Sequence, residues 1–97
     1  MKPLTFLPPA EEDLTEAYLY MLTRSHGLAE ALLRCVESAA QQVQHNPQAW
    51  HPVGFGVRRK RVARFPYALL YREYPERLVV LAVMHLSRDP DYWKDRV

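Results

Sequence analysis

His85, at the end of an apolar run, together with Arg61, Arg64 and Arg88, makes up a set of side chains that could act on a phosphodiester. Cleaving RNA without a metal takes a base for the 2′-hydroxyl, an acid for the leaving oxygen and cations around the charge that builds on phosphorus. Histidine has the pKa for the proton transfers, and arginine presents a two-pronged donor that fits phosphate. A histidine closing an apolar strand is, however, more often packed and hydrogen-bonded than catalytic. His85, Arg61 and Arg88 therefore stand as candidates only, and a non-enzymatic role takes precedence. His26, His45 and His51 have no metal-ligand spacing, so neither a metal site nor a cofactor is expected.

A second constellation is purely electrostatic. Arg58, Arg59, Lys60, Arg61 and Arg64 fall within seven positions that hold no carboxylate. Residues 1–50 carry three basic and six acidic groups, a net −3, whereas residues 51–97 carry ten basic and five acidic, a net +5. So concentrated a positive field suits an anionic partner. Basic residues also protect an edge strand from pairing with other chains, and the two roles are compatible. Alternation along a strand sends Arg59 and Arg61 to one face and Arg58 and Lys60 to the other. These side chains, with Arg88, Tyr92 and Trp93 of the tail, are expected to emerge together on an open, helix-free surface. Tyr92 and Trp93 either anchor a partner there or close the end of the core. Tyr67 and Tyr71 read as core packing rather than base-stacking platforms, and Cys35 as an inert apolar position.

The elements that must carry these residues follow from periodicity. Lys2–Leu7 is expected as a short strand, and Pro8 and Pro9 then suit the first turn of a helix, with Glu11, Glu12 and Asp13 near its positive end. Ala10, Leu14, Ala17, Tyr18, Met21 and Leu22 share one stripe of that helix, which runs to about Arg24. Ser25, His26 and Gly27 are expected to break it. Leu28, Leu32, Cys35, Val36, Ala39 and Val43 then line a second helix that must stop before Pro47. Three strands should follow over 57–63, 67–73 and 78–85, the last two joined by the turn Tyr74-Pro75-Glu76-Arg77. Arg64-Phe65-Pro66 turns the chain between the first two. The run 78–84 is apolar on both faces and should be central. Asp89-Pro90 predicts a final helical turn through Tyr92 and Trp93.

The order βααβββ predicts an α+β, two-layer domain over residues 1–97: a short strand and a helical hairpin packed on a small antiparallel sheet. A length of 97 residues suits one core. A lone cysteine excludes an internal disulfide and fits a reducing cytoplasm. No run approaches the roughly 20 apolar residues of a membrane span, and the amino terminus lacks a signal-like apolar stretch.

Residues 58–96, RRKRVARFPYALLYREYPERLVVLAVMHLSRDPDYWKDR, resemble the carboxy-terminal half of RelE/ParE toxins, also known as plasmid stabilisation proteins. Phe65-Pro66-Tyr67 with Tyr71-Arg72, and the tract carrying His85, Arg88, Tyr92 and Trp93, bear most of the likeness. Residues 9–21 and the HNP at 45–47 extend it toward the amino terminus. The tail is closer to the ParE branch. The resemblance implies a toxin held inactive by a cognate antitoxin encoded beside it, and contact with promoter DNA only through that antitoxin. It implies DNA gyrase as target on the ParE side, and ribosome-bound mRNA on the RelE side. A non-toxic member that only pairs with its antitoxin is a third possibility within the family.

Overall fold

The computed structural model covers residues 1–97. Its elements are β1 (Leu4–Phe6), α1 (Pro8–Arg24), α2 (His26–His45), β2 (His51–Gly54), β3 (Val57–Arg61), β4 (Tyr67–Glu73), β5 (Leu78–His85) and a 3₁₀ turn (Lys94–Arg96). No helix is long and apolar enough to cross a membrane.

Pro8 and Pro9 occupy the first positions of α1, where a missing N–H costs no helical bond. Ala10, Asp13, Ala17 and Met21 form its buried stripe. The hairpin is tighter than the sequence suggested, because Ser25 alone separates the helices. Its backbone N–H donates to the Met21 carbonyl at 2.9 Å, ending α1, while its Oγ accepts from the Leu28 N–H at 3.0 Å, starting α2. His26 and Gly27 are therefore helical, in a first turn where glycine's low propensity is offset by the cap. Replacing Ser25 by alanine should cost about 1 kcal/mol. Thermal unfolding would show it as a drop of about 4–8 °C.

The sheet has the order β1-β5-β4-β3-β2. It is mixed rather than antiparallel, since β1 pairs with β5 in parallel, Leu4 opposite Leu78. Apolar patterning carries no information about strand direction. The sequence also hid a strand. β2 contains Pro52 and Gly54, residues depleted from strands but tolerated at a sheet edge. Gly54, Phe55 and Gly56 all have positive φ, at 100°, 57° and 73°, and bend the chain back into β3. β3 ends at Arg61, two residues earlier than expected. There the Val62 N–H turns to the Tyr67 carbonyl at 2.9 Å, and Arg64 takes a φ of 71°.

One irregularity decides which face the site residues occupy. Leu70 pairs with Ala82 but Tyr71 pairs with Val80, so Leu81 is an extra residue in β5. Such a bulge reverses the alternation beyond it. Val80 and Val83 thus both join the main core under the helices, which includes Leu32, Val36, Val43, Leu69 and Tyr71. Leu81, Ala82 and Met84 join a second core on the opposite face with Val57, Leu70, Val79 and Trp93. The face expected to be open is therefore partly covered. Asp89–Trp93 forms turns rather than a helix, followed by the 3₁₀ segment, and lays Trp93 over that second core.

Candidate functional site

The bulge turns His85 toward α1. There it lines a cavity of about 130 Å³ with Asp13, Glu16, Ala17, Tyr67, Val83 and Arg88. The His85 ring meets Tyr67 edge-on, with centroids 5.0 Å apart. Its Nδ1 lies 3.0 Å from the Ser87 N–H and 2.7 Å from Ser87 Oγ. A backbone N–H can only donate, so Nδ1 is the acceptor and the neutral ring carries its proton on Nε2. In that form neither nitrogen is free to take a proton, because Nε2 already carries one and Nδ1 is accepting from Ser87. Tyr67 is no substitute, since burial, helped by the field of Tyr20, raises its pKa.

The cations proposed to assist are not assembled around His85. Arg88 lines the cavity, but its guanidinium stacks over the Tyr92 ring at 4.0 Å. Arg61 pairs with Ala68 on β4, two strands from β5 and so about 10 Å away. Asp13 and Glu16 add carboxylates to the lining, which disfavours a phosphate there.

Asp13 belongs to a network that joins the two ends of the chain. Its Oδ2 accepts from the Val83 N–H at 3.1 Å, the Tyr92 hydroxyl at 3.1 Å and an Arg96 nitrogen at 2.7 Å. Arg96 also donates to the Leu81 carbonyl at 3.0 Å. β1 covers β5 only as far as Val80. Asp13 and Arg96 thus satisfy the backbone groups of β5 that no strand reaches. Burial and the Asp13 charge push the Tyr92 pKa above its ordinary value. For Arg96 burial opposes the charge, but the hydrogen bond and field of Asp13 prevail and raise the pKa. The sequence held one signal for this network, a carboxylate three residues after Ala10 and four before Ala17 on a stripe that is otherwise apolar.

The basic cluster of β3 is divided between faces, not gathered on one. Arg58 and Lys60 point to the helical side, where Arg58 donates to the Trp50 carbonyl at 2.8 Å and the Lys60 ammonium sits 3.9 Å above the Trp50 ring. Arg59 lies on the opposite side, in a cleft with Val53, Pro90, Trp93 and Lys94. Arg61 and Arg64 flank α2. The tail residues diverge as well: Trp93 is 2% exposed and cannot serve as a surface anchor. Tyr92 is half-buried against Asp13, while Phe55 projects at 61% exposure beside Trp93. Phe55 and Lys94, with the ammonium 5.3 Å from the ring, are surface features that the sequence did not single out. The cations are nevertheless not neutralised by the chain itself. Its ion pairs are Lys2–Glu73, Lys94–Asp91 and Arg96–Asp13, and none of Arg58, Arg59, Lys60, Arg61, Arg64 and Arg88 takes part. No three His, Cys, Asp or Glu side chains come together to hold a metal ion.

A five-stranded mixed sheet with a helical hairpin on one face and a basic third strand defines a small two-layer α+β protein. The family model for the ParE toxin of type II toxin–antitoxin systems, parDE, matches residues 4–90, and the chain belongs to that family. Among solved structures, one described as the chromosomal ParDE TA system from P. aeruginosa matches with a TM-score of 0.68 and 24% identity. The match covers 90% of this chain and 98% of the other, a likeness of fold. A search of curated proteins gives no match.

Proposed function

We propose that this ParE-family chain poisons its target by binding, with DNA gyrase as that target, and that a cognate antitoxin neutralises it. The observation that carries this reading is the set of arginines outside any ion pair, Arg59, Arg61, Arg64 and Arg88, on a chain whose His85 is committed to Ser87. Uncompensated guanidinium groups at the surface attract an acidic or phosphate-bearing partner and speed its association. The antitoxin has a different surface to cover. Leu19, Tyr20, Leu22, Leu28 and Leu33 are exposed on the helical hairpin, with Leu19 and Tyr20 at 53% and 54%. A segment that folds over them would bury that apolar area and bring its carboxylates to the basic strand.

Controlled overexpression separates this from the enzymatic alternative. The expected result is growth arrest with altered plasmid supercoiling and intact transcripts, and His85→Gln should arrest growth as the parent does. Ribosome-dependent transcript cleavage that His85→Gln removes would establish the endonuclease instead. Absence of arrest from a folded, abundant protein would leave only the antitoxin-pairing role.

A further inference from the structure

A groove of about 410 Å³ runs between α2 and the connection from β3 to β4, away from the His85 cavity. Its walls are Cys35, Ser38, Ala39 and Gln42 on one side and residues 60–64 on the other. We infer that this groove is a phosphate site that takes the backbone of a nucleic acid strand. The inference goes beyond gyrase binding, because it assigns the toxin a direct contact with nucleic acid.

Charge is the first support. Lys60, Arg61 and Arg64 line the groove, and no carboxylate does. None of the three is in an ion pair, and neither arginine donates a hydrogen bond to the protein: Arg64 only approaches the Phe65 ring, at 5.8 Å. The donors of Arg61 and Arg64 are free for a ligand, and the Lys60 ammonium, resting on the Trp50 ring, adds its charge. The backbone at Arg64 is strained. Its φ of 71° lies in the left-handed region, which non-glycine residues seldom adopt outside turns that impose it.

Neutral donors complete the lining. Ser38 and Gln42 stand one helical turn apart on α2, joined only by a long 3.4 Å contact, and both are exposed. A serine hydroxyl, a carboxamide and two guanidinium forks can surround the oxygens of a phosphodiester. The apolar part of the lining, Ala39, Val62 and Ala63, offers no aromatic face on which a base could stack. Recognition would therefore be of the backbone, independent of sequence and sensitive to salt.

Cys35 is the chain's one cysteine and forms part of the wall, half-buried, so it reports on occupancy. The test uses the purified chain with a fluorescein-labelled DNA strand of about 20 nucleotides, without gyrase. Fluorescence anisotropy at about 50 mM salt should show binding that weakens about tenfold or more in Lys60→Gln/Arg61→Gln/Arg64→Gln. The salt slope should fall by about 2 in that variant. A control with the same change in net charge, Arg24→Gln/Arg34→Gln/Arg77→Gln, should bind within about twofold of the parent, and saturating DNA should slow Cys35 alkylation by iodoacetamide. The inference is overturned if both triple variants lose affinity alike, or if DNA leaves the alkylation rate unchanged. It is equally overturned if polyglutamate of equal charge protects Cys35 and the DNA strand does not, which would make the groove a site for acidic peptide. Since gyrase is absent, these failures leave the gyrase reading standing.

Discussion

Replacing Asp13 by alanine should destabilise the fold by about 3–5 kcal/mol, the range for breaking a buried ion pair from one side. The side chain is only 8% exposed and its partner Arg96 18%. Alanine would leave the Arg96 guanidinium, the Tyr92 hydroxyl and the Val83 N–H without their acceptor at once. An unpaired donor in such a place costs about 1–3 kcal/mol, more if charged. Arg96→Gln should cost less, because Asp13 keeps two of its donors. Urea or thermal unfolding measures both, and the alanine variant should melt at least about 12 °C lower. Hydrogen exchange adds a local readout, since the Val83 amide should lose protection before the β4–β5 ladder does. A loss under about 1 kcal/mol would mean that β5 does not depend on this side chain for its uncovered edge.

Trp93→Ala should cost about as much, 3–5 kcal/mol, through a cavity in the second core. Trp93 is 2% exposed and packs in a cluster with Val57, Leu70, Val79, Leu81, Ala82 and Met84. No helix covers that face, so the indole is the main lid over it. Phenylalanine keeps part of the apolar volume and should restore much of the loss. Denaturation midpoints test this directly. In cells, any loss of toxicity in Trp93→Ala should track protein abundance, as expected of a packing residue. Normal abundance with abolished toxicity would instead return Trp93 to the target surface.

The contrast between Trp93 and β5 shows what patterning conveys. The long strands β4 and β5 and both helices were legible, because their apolar residues recur at the periods of the elements and turn residues bound them. β2 was not, since Pro52 and Gly54 look like loop residues and only the edge position tolerates them. The bulge at Leu81 was also hidden, for in an all-apolar run an extra residue leaves no trace in the pattern. Yet that bulge alone puts His85 beneath α1 and Met84 beneath Trp93. The cations were found by counting charges, but their division between faces depends on pairing geometry. The Asp13–Arg96 bridge spans 83 positions of sequence and is beyond any local rule.

Under the proposed function, free arginines bind a target that the protein does not chemically alter. Adding purified chain to DNA gyrase and plasmid should reduce supercoiling or trap cleaved DNA. His85→Gln should act as the parent does, and joint glutamine replacement of Arg59, Arg61, Arg64 and Arg88 should abolish the effect. Full gyrase activity at saturating toxin, together with cutting of ribosome-bound mRNA that depends on His85, would contradict the account.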